Sequence, residues 1–243
     1  MSRVVIIRPL AAAIAGNMTS PERMATPDPK EVSISPDAGA RSIDLDLGAA
    51  RTVGALYLGG VSSAVAFTAT GGVGAHAEFN LGNLLAAPKR TAGAPYRNLL
   101  VIEPRELRYV RLSANVPAGF EVGLAMAGEL FRPGYNHEWG AGRYLVDTST
   151  VARNRAGGFG IDQGAIAVGW DFALGDLTDD DAANLFDMLR KVGESNPAIV
   201  CEDPDVTPGL EERTHYGLFQ RLEKYERQSL GVTRWSLKIE EWI

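Results

Sequence analysis

Between residues 42 and 131 the apolar side chains recur mostly at every second position, with almost no trace of helical spacing. In SIDLDLG (42–48), Ile43, Leu45 and Leu47 alternate with Asp44 and Asp46 before Gly48 closes the run. That period marks a strand with one buried face, because successive side chains of an extended chain point to opposite sides of a sheet. VGALYLGGV (53–61) follows after a short ARTV connection. VAFTATGG (65–72), LLVIEP (99–104), LRYVRLSANV (107–116) and FEVGLAMAGELF (120–131) continue the pattern. Strands of this length, separated by Gly, Pro, Asn and Ala, predict an all-β sandwich or barrel. Tyr57 and Phe67 fall inside strand patterns and are expected in its core. Residues 79–98 are long and poorly periodic, which predicts an extended loop or a short helix crossing the sandwich.

From residue 132 the pattern mixes. Residues 132–164 are rich in glycine and poor in alternation, and GAIAVGWDFALG (164–175) reads as a strand. LTDDDAANLFDMLRKVG (177–193) is the clearest helix: Thr178 is a natural N-cap, with Asp181 three residues on in a capping-box arrangement. Ala182, Leu185, Phe186 and Leu189 form the apolar stripe, and Gly193 supplies the stop. AIVCED (198–203) predicts a buried strand, residues 214–228 fit both periods, and 231–243 a closing strand. The expected architecture is therefore mainly β. A β-sandwich domain at 1–131 is followed by an α+β domain at 132–243, with one clear helix packed on an antiparallel sheet. The N-terminal strand RVVIIRP (3–9) can pair within the sandwich or with the C-terminal half. The irregular length of 10–40 favours the second arrangement.

Composition removes several function classes. A net charge of −6 and a pI near 5.2 argue against nucleic-acid binding, which favours a basic domain. Arg8 and Pro9 interrupt the N-terminal apolar run, leaving VVII too short and LAAAIA weak, and no segment approaches the roughly 18 apolar residues that cross a bilayer. A soluble chain with no membrane insertion is expected. Cys201 is the single cysteine, in an apolar stretch, so an inert buried thiol is expected. His76, His137 and His215 show no metal-ligand spacing, and the acids at 176–181 lack the order of a calcium loop. GGVGAH (71–76) and AGGFG (156–160) lack the residues of a phosphate-binding loop, and read as flexible turns. No nucleophile elbow occurs, and Glu240 and Glu241 point to opposite faces of a strand. No enzyme activity, metal or cofactor is expected.

Two sets of residues stand out as contacts. The chain ends WSLKIEEWI, where Trp235, Leu237 and Ile239 alternate with polar residues until Glu241 falls on the apolar face and Trp242 on the polar one. Trp242 and Ile243 are therefore candidates for a subunit interface, against the alternative that they fold back on their own sheet. Phe79 and Tyr96, in the crossing segment, and His137 and Trp139, in YNHEWG, are candidates for glycan contact through stacking. For Trp139 the competing expectation is a loop anchor with its N–H bonded locally.

SIDLDLGAARTVGALYLGG (42–60) and RYVRLSA (108–114) resemble a discoidin-type, galactose-binding-like jelly roll, in which a core strand, a turn and a second strand follow each other. GLAMAGELFRPGYN (123–136), RNRAGGFG (153–160), the LTDDDAANLFDML helix, PAIVCEDPD (197–205), HYGLF (215–219) and the acidic closing strand WSLKIEEW (235–242) resemble tail proteins of long-tailed bacteriophages and prophages. The resemblance spans about 42–243. It implies a structural virion component at the distal tail or tail tip, made in the host bacterial cytoplasm. Its partners would be copies of itself in a ring, hexameric or trimeric, and other tail proteins. The loops at 17–40 lack the tryptophan of sugar-binding discoidin domains. The alternative function is a carbohydrate-binding module for attachment to a host-surface glycan.

Overall fold

The computed structural model describes residues 3–84, 96–206 and 209–242. They fall into two compact units, Met1–Pro133 with Ala198–Thr214, and Gly134–Pro197 with His215–Ile243. The first unit holds β1 (Val5–Pro9), β2 (Ala13–Gly16), β3 (Ser33–Ile34), β4 (Gly39–Val61) and β5 (Phe67–Gly72). It continues through β6 (Phe79–Leu84), β7 (Tyr96–Val116), β8 (Glu121–Val122) and β9 (Leu124–Phe131). The second unit begins with β10 (Gly142–Asp147), β11 (Thr150–Arg153), β12 (Phe159–Asp162), β13 (Ile166–Leu177) and helix α1 (Asp179–Val192). β14 (Ala198–Cys201) returns to the first unit, and β15 (Thr214–Phe219), β16 (Glu226–Ser229) and β17 (Val232–Glu241) complete the chain.

Two long strands organise the first unit. The runs expected as two strands joined by a turn, at 42–48 and 53–61, form one bent strand, β4. Those at 99–104 and 107–116 form its partner, β7. Their pairing shifts register between Asp46 and Arg51 and again between Val53 and Ala55. Gly48, at φ 73°, takes the left-handed conformation that an L side chain resists, and its N–H is held by the Asp46 carboxylate at 2.8 Å. Bulges of this kind turn a strand without ending it, so the same two strands contribute to both layers of a sandwich. One half of β4 pairs with β2 and the Tyr109–Leu112 part of β7, which continues to β5 and β6. The other half pairs with the start of β7 and with β9, which leads to β1 and then β14.

Ile43 and Leu45 from one half and Leu56 and Leu58 from the other meet in one buried cluster with Phe67, Val110 and Phe120. Tyr57 and Phe67 are in the core as expected. On the opposite face of the same alternation, Asp44 receives Arg111 at 2.6 Å and Asp46 receives Arg108 at 3.0 Å. Residues 10–40 do not span away from this unit. β2 adds to β4, Met18 and Met24 enter the core, and β3 pairs with β8. Gly123 interrupts the last expected strand between β8 and β9, where a Cβ would strike the Pro29 carbonyl. β1 pairs with β9 on one side and with β14 on the other, so the AIVC segment joins the N-terminal strand in the first unit. In the segment expected as a loop or helix, residues 79–84 are strand β6 on β5 and residue 96 begins β7; 85–95 lie outside the described residues.

In the second unit the antiparallel order is β10-β13-β17-β15, with β16 on the end of β17. The ambiguous 214–228 segment is two strands, β15 and β16, joined by an irregular stretch. α1 packs on β13 and β17. Thr178 Oγ1 accepts the Asp181 N–H at 3.1 Å, and Gly193, at φ 63°, ends the helix. The return arm of a capping box is not made: the Asp181 carboxylate accepts Gly134 N–H at 3.3 Å instead. The buried stripe is Ala182, Leu185, Met188, Leu189 and Val192. Phe186, expected within it, is 47% exposed, because the stripe centres on Leu185 and Leu189 and leaves Phe186 on its flank. On β17, Trp235, Leu237 and Ile239 are buried as their alternation required. No helix among the described residues is long and apolar enough to cross a membrane.

Candidate functional site

One exposed apolar surface of the second unit is a hairpin arm. β10 pairs with β13 from Gly142↔Asp171 to Asp147↔Ile166, and β11 pairs with β12 from Thr150↔Asp162 to Arg153↔Phe159. Between the two ladders Thr148 N–H donates to the Ala165 carbonyl at 3.0 Å, so the chain runs out and back as one interrupted hairpin. The tip is closed by Asn154, whose side chain accepts Gly158 N–H at 2.9 Å, with Gly157 at φ 87°. Residues 147 to 153 extend it by about 20 Å at about 3.3 Å per residue. Directly paired residues share a face, so Val151, Ile161, Arg153 and Phe159 lie on one side and Thr150, Ala152, Gly160 and Asp162 on the other. Val151, Phe159 and Ile161 are 60%, 61% and 68% exposed. The Arg153 guanidinium lies 5.3 Å from the Phe159 ring centre. At the arm's root, Leu145 and Ile166 are also exposed. Sequence reading passed over this segment because glycine and short strands hid its alternation.

A second apolar surface lies beside α1. Trp235 is buried and donates Nε1–H to the Glu223 carbonyl at 2.8 Å. Tyr225 and Phe186 stand over it, with ring centres 5.3 and 6.2 Å from that of Trp235, and both are about half exposed. Leu189 and Leu222 extend the groove, and Arg190 and Lys224 stand at one end of it. Asp187 and the Asp179–Arg227 ion pair, at 2.7 Å, border the other stretch.

The expected contact residues are dispersed. Phe79, on β6, is exposed with Arg105 5.5 Å from its ring centre, whereas Tyr96 is partly buried against the sandwich core. Both belong to the first unit; His137 and Trp139 belong to the second. The His137 ring stands edge-on to Trp170 at 5.5 Å, and its Nδ1 lies 3.0 Å from the Glu138 carbonyl. Glu138 is fixed through its N–H to the Ala173 carbonyl at 2.8 Å and through its carboxylate to Arg234 at 2.9 Å. Trp139 follows this clamp and is fully exposed, so it does not anchor the loop to the core. Trp242 is partly buried, and its N–H donates to the Tyr216 carbonyl at 2.9 Å, continuing the β15–β17 ladder. Ile243 lies outside the described residues. Glu241, which broke the apolar alternation, turns to the buried His215, whose Nδ1 is 3.1 Å from Oε1. His215 also stacks on Trp170 at 5.6 Å.

Two further sites of interest have structural explanations. The GGVGAH loop is no flexible turn: the Glu78 carboxylate accepts N–H bonds from Val73, Gly74 and Ala75 at 2.8, 2.7 and 2.7 Å. Those bonds to the charged form hold the Glu78 carboxyl below its ordinary range. Cys201 is fully buried, and loss of hydration pushes its thiol up to about 11. Among the described residues no group of three His, Cys, Asp or Glu side chains is placed to hold a metal ion.

No family model matches the chain, and no curated protein matches it. Three solved structures are similar in part. Chitosan-binding module 1, derived from a chitosanase/glucanase of Paenibacillus sp. IK-5, is 13% identical over 49% of this chain and 96% of its own, with a TM-score of 0.36. A selenomethionine-labelled mutant of that module is 14% identical over 50% of this chain and 96% of its own, with a TM-score of 0.37. SpGH29 is 16% identical over 50% of this chain and 27% of its own, with a TM-score of 0.40. Likeness at this level carries no functional argument.

Proposed function

We propose that the chain is a structural subunit of a long-tailed phage or prophage tail, near its distal end, that works through contacts between subunits rather than by catalysis. The observation that supports this reading is the arm, with Val151, Phe159 and Ile161 open to water on one face of a two-stranded hairpin. Such a hairpin is marginal in water by itself, and a projecting apolar face is characteristic of surfaces covered on assembly. The order of segments over 42–243 supports the tail assignment. Antibody raised against the purified chain should decorate the distal end of tails in particles from the host strain. Particles decorated elsewhere, or left unlabelled, overturn the assignment.

A carbohydrate-binding role has one specific observation in its favour, the fully exposed Trp139 on a loop clamped by Glu138 and Arg234. Aromatic faces held outward in this way stack on sugar rings. Affinity electrophoresis in soluble wall polysaccharides tests it. Retardation that disappears in Trp139→Ala, and persists in Tyr96→Phe, supports a Trp139 site. Unretarded migration of the unaltered chain removes it.

A further inference from the structure

We propose that the apolar face of the β11–β12 hairpin of one copy seats in the aromatic groove beside α1 of a second copy, head to tail. The inference rests on the assembly reading and names its contact. Both surfaces belong to the second unit, yet in the single chain each stays open to solvent: Phe159 and Ile161 on the arm, Phe186 and Tyr225 on the groove. The arm presents a flat strip of three apolar side chains. The groove presents three rings at mutual distances of 5.3 to 6.2 Å, a surface suited to aromatic and aliphatic contact.

Charge sets the direction. The arm carries Arg153 on its apolar face and Arg155 at its tip, whereas Asp162 at its base lies on the opposite face. The groove runs along α1 from Asp179 and Asp187 to Arg190, with Lys224 at the same basic end. Asp187 makes no ion pair within the described residues, whereas Asp179 is already engaged by Arg227. A docked arm therefore points its arginine tip toward Asp187 and the N-terminal end of α1. The lengths agree. Ten residues of helix rise about 15 Å, and the β11–β12 ladder is about 10 Å long before its turn. A contact between two different surfaces of one protein is heterologous, so repetition closes a ring when the rotation permits and otherwise continues as a filament.

The experiment mixes two single variants, Phe159→Cys and Tyr225→Cys, under mild oxidation, with masses read by non-reducing electrophoresis and by light scattering. Both sites are exposed, and the native Cys201 is buried and serves as the silent background. The expected result is a disulfide-linked dimer that requires both variants, ladders in the double variant, and a fall in solution mass for Phe159→Ser. A double variant that crosslinks only within one chain overturns the proposal, since the arm then folds onto its own groove. An oligomer by light scattering without any crosslink overturns this contact and leaves the assembly reading standing. A monomer without crosslinks overturns the contact, and tail decoration then decides the assembly reading separately.

Discussion

Glu78 shows how one side chain converts a glycine-rich stretch into ordered structure. Its carboxylate collects three backbone N–H groups that would otherwise bond only to water. Because the folded carboxyl titrates below its ordinary value of 4.5, its contribution is present above that pH and lost as pH falls through the lower folded value. Amide exchange at Val73, Gly74 and Ala75 is expected to accelerate in Glu78→Gln at neutral pH, relative to the unaltered chain. Equal protection in both forms would remove the carboxylate from that role. Cys201 runs the other way. Burial raises its thiol from 9.0 to about 11, so its contribution is present below 9 and fades as pH rises toward 11. Thiol reagents at pH 8 should leave it untouched until the first unit unfolds. Rapid labelling of the native chain would contradict its burial on β14, beside Val5 of β1.

At the level of elements, α1 is fixed at both ends by local chemistry. Replacing the Thr178 cap with alanine leaves Asp181 N–H unsatisfied and should cost about 1 kcal/mol, measured by denaturant titration of helical circular dichroism. A loss below about 0.3 kcal/mol would mean that packing on β13 and β17 alone holds the first turn. The helix was readable because capping and periodicity act within a dozen residues. The flank on which Phe186 lands was not, since which part of a wide apolar stripe is covered depends on where β17 and Tyr225 sit. The long strands β4 and β7 teach the same lesson. Their alternation was plain, but the bulge at Asp46–Arg51 read as a connection between two strands, because Gly48 marks it.

At the scale of the whole molecule, each of the two compact units is built on antiparallel strands, and the exposed apolar surfaces among the described residues include the arm, the α1 groove and Trp139. Trp242 bears on assembly as well. Its N–H extends the β15–β17 ladder while its side chain stays partly exposed. Under the assembly reading, a chain ending at Glu241 keeps its circular dichroism spectrum while its mass in solution falls to that of the 26.0 kDa monomer. An unchanged mass would take Trp242 out of the interface and leave the arm as the contact that carries it.

Sequence alone determined the mainly β class, the core roles of Tyr57, Phe67, Trp235, Leu237 and Ile239, the helix at 179–192 with its cap, and the buried cysteine. Each of these rests on a period, a cap or a hydropathy that local chain geometry enforces. Only the tertiary structure decided that Ala198–Cys201 joins β1, that Glu241 turns inward to His215, and that Trp139 is held outward while Phe159 and Ile161 line a projecting hairpin. Those outcomes depend on which distant strand supplies the partner or leaves a face uncovered. No spacing within a single segment records that choice.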